Sequence, residues 1–184
     1  PGVLGVVAAF VLLHTGVPLV ARRLGRPVVD EELAAVVAPA LLFAFPVLVA
    51  IEPATAAPGV VFGVLFALLV VLAAVAVTHE QGRVHFLSAF FALVAEALWS
   101  AKYLTPERLL PALTMYAAFG LFYLGVPLIA ERLGKKLEPR GSGAVVLFVS
   151  LAFLFFLAAG PVAASALWGM ALLLAILNLG LLLE

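Results

Sequence analysis

Cysteine is absent from all 184 residues, so no disulfide, no thiolate zinc site and no thiol nucleophile is available. Charge is scarce too: 11% of residues are Asp, Glu, Lys or Arg, against about 25% in soluble domains. Ten basic residues cancel ten acidic ones, and no basic run stands ready for a phosphate backbone, so no nucleic-acid partner is expected. The alternating polar residues of a membrane β-barrel are also missing. What remains is apolar side chain, 66% of the sequence. A soluble fold of this length has too little interior to hide it. The composition is that of an integral membrane protein whose first partner is the lipid bilayer.

Crossing about 30 Å of hydrocarbon takes about 20 apolar residues in a helix. Seven stretches meet that requirement, near 2–21, 33–51, 59–78, 84–104, 109–130, 143–160 and 162–183. The connections between them are short and rich in breakers, as in EPATAAP, HEQGR and TPER. The chain begins on Pro1 directly inside an apolar run, without the charged region or cleavage site of a signal peptide, and is expected to be a piece of a longer protein. Loop charge orients the spans. Arg22, Arg23, Arg26, Arg83, Arg132, Lys135, Lys136 and Arg140 fall on one side, whereas Lys102 and Arg108 fall on the other. The positive-inside rule then puts the first group in the cytoplasm, the N-terminus outside and Glu184 inside. Trp99 and Tyr103 come near the outer interface, where aromatic belts sit.

The sequence also repeats itself. Residues 8–26, AAFVLLHTGVPLVARRLGR, match residues 117–135, AAFGLFYLGVPLIAERLGK, at twelve of nineteen positions with an offset of 109. The match continues from Ala35-Val36-Val37 to Ala144-Val145-Val146. Apolar bias yields chance Leu, Ala and Val matches, but not a shared Gly-Val-Pro and a shared later Gly. An offset of four spans keeps both copies in the same orientation, as in the parallel repeats of some transporters. The expected architecture is therefore all-α, with seven transmembrane helices in two parallel repeats: 1–108, and 109–184 lacking its fourth helix. Pro18 and Pro127 each remove an intrahelical hydrogen bond and are expected to set a fixed kink. Gly59/Gly63 and Ser165/Gly169 have the small-xxx-small spacing that lets helices approach closely.

Few polar groups lie at membrane depth. Glu96 is close to a span centre, where an acidic side chain costs about 2.5–3.5 kcal/mol on insertion scales. His85, Ser88, Ala92, Glu96, Trp99 and Tyr103 fall within a sector of about 80° on one helix, while Phe86, Leu87, Phe90, Leu93 and Leu98 lie mostly outside it. That stripe is expected to face protein. Tyr116 is the partner expected for Glu96 by depth. His14, Tyr123 and Asn178 form a shallower set, with His14 aligned on Tyr123 in the repeat. Lys102 lies about 120° around the helix from Glu96 and is expected to snorkel outward. Thr78, His79, Glu80, Arg83 and His85 gather at the cytoplasmic mouth as expected headgroup contacts. No zincin, nucleophile-elbow or phosphate-loop motif occurs, so no metal, cofactor or catalytic residue is expected.

The stretch AEALWSAKYLTPERLLPALTMYAAFGLFYLGVPLIAERLGKKLEP resembles the repetitive membrane region of a bacterial family of large polytopic membrane proteins of unknown function. The resemblance is best over residues 80–140 and extends through the repeat to residues 8–50. It implies a bacterial cytoplasmic membrane location and further membrane helices as partners, and it supplies no catalytic residues. The functional expectation rests on the repeats and the polar stripe: a non-enzymatic transport module for a small or lipidic solute, with Glu96, Tyr116, His14, Ser88, Tyr123 and Asn178 as candidate binding residues. A structural or assembly subunit is the alternative, and an intramembrane enzyme the third.

Overall fold

The computed structural model describes residues 2–26 and 31–137, which form helices and short connections without any strand. In chain order these are α1 (Gly2–Arg23), α2 (Glu31–Ala40), a 3₁₀ turn at Leu41–Phe43, α3 (Ala44–Ile51), a second turn at Pro53–Ala56, α4 (Pro58–His79), α5 (Gly82–Tyr103), a third turn at Pro106–Arg108, and α6 (Leu109–Arg132). Helices α1, α4, α5 and α6 are long and apolar enough to cross a membrane. At about 1.5 Å per residue their 22–24 residues reach about 33–36 Å, slightly more than the hydrocarbon thickness. The spans expected at 143–160 and 162–183, the Ala144-Val145-Val146 match, Ser165/Gly169, Arg140 and Asn178 lie outside the described residues.

The span expected at 33–51 is not one continuous helix. Pro39 sits inside α2, and Pro46 follows in the first turn of α3. Neither has an amide hydrogen for the i−4 carbonyl, so the ladder weakens between them and tightens into a 3₁₀ turn. The Ala44 amide donates to Leu41 and Leu42 carbonyls there. Leu42, Phe45 and Val49 are nonetheless fully buried, and they join Leu65, Leu69, Leu72 and Trp99 in one apolar core.

Contacts at the helix ends fix the directions. Trp99 Nε1 donates to the Thr55 carbonyl at 2.9 Å, and Lys102 Nζ donates to the Ala50 carbonyl at 2.7 Å, which places the ends of α3 and α5 together. At the opposite end of the bundle, Arg22 Nη1 meets His79 Nδ1 at 3.2 Å and Lys135 pairs with Glu80 at 3.0 Å. Helices α1, α4 and α6 therefore all finish at this second end, which carries most of the cations. Lys102 does not simply snorkel: it caps carbonyls at the C-terminus of α3, where the helix dipole favours a cation. Trp99, at the same end, faces protein as its place in the α5 stripe predicts. It is fully buried, edge-on to Phe62 with ring centroids 6.2 Å apart. Gly59 and Gly63 bring no described helix close, since a Cβ added at either would meet nothing within 4 Å.

Helices α1 and α6 end in the same way. Gly25 has φ 68° and Gly134 φ 69°. The Gly25 amide donates to Arg22 and the Arg26 amide to Ala21; the Gly134 amide donates to Glu131 and the Lys135 amide to Ala130. Both are Schellman caps, in which a left-handed glycine folds the chain back onto the last turn and satisfies its carbonyls. Each bond in one cap has its counterpart 109 residues later in the other.

Candidate functional site

The polar stripe on α5 faces inward. His85, Ser88, Ala92, Glu96, Trp99 and Ser100 are buried, whereas Phe90 and Leu98 are exposed and Phe86, Leu87 and Leu93 half-buried. Small residues bring this about: Ala89, Ala92 and Ala95 let neighbouring helices lie against α5 with no bulky side chain between. Opposite, α6 buries Tyr116, Phe119 and Tyr123, spaced three and four residues apart on one face.

Along this interface the hydroxyls divide into two kinds. Ser88 and Ser100 donate to carbonyls one turn back, Val84 and Glu96 respectively, each at 2.7 Å. The Tyr116 hydroxyl is paired with Ser100. Because the single Ser100 proton goes to the Glu96 carbonyl, Tyr116 is the donor in that pair. Tyr116 therefore meets the helix of Glu96 one turn beyond the expected partner. By contrast, Glu96 Oε1 and the Tyr123 hydroxyl are buried without a hydrogen-bond partner among the described residues. An unsatisfied buried polar group costs about 1–3 kcal/mol. Both oxygens lie on the buried faces of α5 and α6.

Helix geometry sets how the two side chains lean along the bundle. Side chains on an α-helix lean toward its N-terminus. Helices α5 and α6 run in opposite directions, so Glu96 leans toward the level of Tyr123 and Tyr123 toward that of Glu96. The Tyr123 ring itself packs near His85, with centroids 6.2 Å apart, and against Phe119. Phe119 in turn stands edge-on to Phe62 and Phe66 of α4, which closes the region on that side with aromatic rings. A carboxyl group enclosed at this depth can accept from a small polar species and can hold or release a proton.

Of the sequence-derived candidates, Ser88, Glu96, Tyr116 and Tyr123 are all buried on α5 and α6. His14 does not join them. It stacks on Phe10, hydrogen-bonds the Phe10 carbonyl through Nδ1 at 2.9 Å, and lines a half-open cleft between α1 and α4. Although it aligns with Tyr123 in the repeat, its surroundings differ. Asn178 lies outside the described residues. The cluster expected at the mouth of α4 and α5 is divided: His79 goes to Arg22, Glu80 to Lys135, and His85 into the buried interface. Ser100 was not singled out from the sequence, although its position one turn after Glu96 is the available signal. Comparison with profiles of known families, with curated proteins and with solved structures gave no match.

Proposed function

We propose that this chain is a transport-type membrane module, non-enzymatic and without cofactor, that passes a small or lipidic solute by way of Glu96. The observation that carries the reading is that two oxygens on the buried faces of α5 and α6, Glu96 Oε1 and the Tyr123 hydroxyl, have no hydrogen-bond partner among the described residues. Ionisable groups kept at membrane depth despite their cost are characteristic of solute and proton paths. In this reading the protein has seven spans in two parallel repeats, 1–108 and 109–184, and resembles the large bacterial polytopic proteins in location as well as pattern. It sits in the cytoplasmic membrane with its N-terminus outside, surrounded by lipid and by further helices.

Proton flux tests the reading. Proteoliposomes of the full chain with a trapped pH dye, under a potassium gradient set by valinomycin, should take up protons faster than protein-free liposomes. Glu96→Gln keeps the shape of the side chain and should fold, yet lower uptake to the protein-free level. Equal uptake by parent and empty liposomes would remove the transport reading and leave a scaffold subunit. The Ser100–Tyr116 pair and the Trp99–Thr55 bond favour that second reading, because they lock helices together without any solute. For orientation, cysteines replacing the exposed Thr105 and Lys136 should label from opposite faces, Lys136→Cys from the cytoplasm. Labelling from one face defeats the topology.

A further inference from the structure

We propose that two copies of this chain pair in the membrane through α1, along the stripe Val3, Val6, Phe10, Leu13, Val17 and Val20. The contact is separate from the Glu96 region and does not depend on the transport reading. Each of these six side chains is more than half exposed. They stand alternately three and four residues apart, so the pattern repeats every seven residues and traces one line along the helix. Seven large apolar side chains are exposed on α1, and only Leu12 lies off this line, about 130° around the helix. Lipid asks only for apolar side chains and sets no such period. A seven-residue period is what two helices need when they wind about each other at a shallow crossing angle.

The matching helix shows what this face does when another helix lies beside it. Phe10, Leu13 and Val17 correspond to Phe119, Phe122 and Val126 of α6. There α4 covers them: Phe119 and Phe122 meet Phe66 with ring centroids 5.3 and 5.2 Å apart, and Val126 clusters with Ala73 and Val77. The same positions thus seat a helix on α6, while on α1 the seat is open. Gly2, Ala9 and Gly16, also seven residues apart, run along the edge of the stripe. A Cβ at Gly16 would meet nothing within 4 Å, and its backbone does not have the positive φ that calls for glycine. Within the single chain this glycine costs about 0.5–1 kcal/mol against alanine and brings no helix close. Small residues at membrane interfaces let a second backbone approach.

Symmetry makes a second copy the partner. Copies inserted the same way present the stripe at the same depth and in the same direction. A two-fold axis along the membrane normal then brings two α1 helices together in parallel and in register. Phe10 meets Phe10 and Val17 meets Val17, so the stripe is its own complement. No charged residue stands on it, and Arg22 and Arg23 lie about 110° or more off its line, so pairing presses no like charges together. Covering the exposed part of the six side chains removes on the order of 600 Å² per copy. The pair would bury about 1,200 Å², the lower end of specific stable interfaces. Pairing depends on concentration, and dilution in detergent separates it from the fold of the single chain.

Because the chain contains no cysteine, single cysteines report on the pair directly. The full chain is placed in liposomes and oxidised with copper phenanthroline. Phe10→Cys, Leu13→Cys and Val17→Cys should each give a disulfide-linked dimer, with about tenfold higher yield than the comparably exposed Leu12→Cys. Gly16→Ile puts its side chain into space that is open in the single chain. It should keep the parent circular-dichroism spectrum and lower the dimer yield of Val17→Cys about fivefold. No dimer from any stripe position, or equal dimer from Leu12→Cys, leaves lipid or another segment of the chain as the cover and overturns the pair. An unchanged yield in folded Gly16→Ile overturns the close packing on which the pair rests.

Discussion

Residues 8–26 and 117–135 are nearly the same sequence, and they end in the same cap, yet they occupy opposite environments. Phe10 is 51% exposed and its counterpart Phe119 is 3% exposed; Val17 is 52% exposed and Val126 is 7%. Helix α1 buries only Val11 and Thr15, whereas α6 buries eight residues. The hydrogen bonds of the caps are local, so identical residues reproduce them wherever the helix sits. Burial is not local. Phe119 meets Phe62 and Phe66 of α4, while the ring stacked on Phe10 among the described residues is His14 of its own helix. Sequence similarity here carries backbone geometry from one copy to the other and does not carry surroundings.

The largest effect should separate the aligned phenylalanines. Phe119→Ala leaves a cavity among three aromatic rings and should destabilise the full chain by about 3–5 kcal/mol, read by unfolding in detergent. Phe10→Ala, on an exposed face, should cost no more than about 0.5 kcal/mol. Equal losses would show that another helix covers α1 and would break the contrast.

An intermediate effect should unite the two copies. Gly25→Ala and Gly134→Ala each force a side chain into left-handed backbone, costing about 1–2 kcal/mol. Neither Cβ meets a neighbour, so the two losses should agree despite the different surroundings. A clear inequality would mean that one cap depends on tertiary contacts.

The smallest effect concerns the two tyrosines. Tyr116→Phe removes a paired hydroxyl and should cost about 1 kcal/mol, whereas Tyr123→Phe removes an unpaired one and should be neutral or stabilising. The same scan measures both. A loss on Tyr123→Phe as large as that on Tyr116→Phe would reveal a partner for the Tyr123 hydroxyl and weaken the case for an open site beside Glu96.

The inward stripe on α5 was legible because a 3.6-residue period acts on one helix, and the side chain at each position can be placed by counting. The break in the 33–51 span was legible only in part. Pro39 and Pro46 announce a weakened ladder, but whether a proline pair kinks, tightens or ends a helix depends on what packs around it. Trp99, counted into that stripe, is fully buried, but its bond to the Thr55 carbonyl joins residues 44 apart and could not be counted from one helix. The cleft beside His14 escaped notice because its walls come from α1, α2 and α4, which are far apart in sequence.

By itself the sequence determined that the described chain is helical and apolar enough for a membrane, and roughly where its four long helices lie. These depend on hydrophobicity, prolines, glycines and hydrogen bonds between near neighbours in the chain. Tertiary structure alone decided which of two matching helices is enclosed, which hydroxyls find partners, and that Tyr123 is buried while the aligned His14 lines a half-open cleft. Those outcomes depend on contacts between residues far apart in sequence, and in a chain this uniformly apolar no local pattern distinguishes a face that meets lipid from one that meets protein.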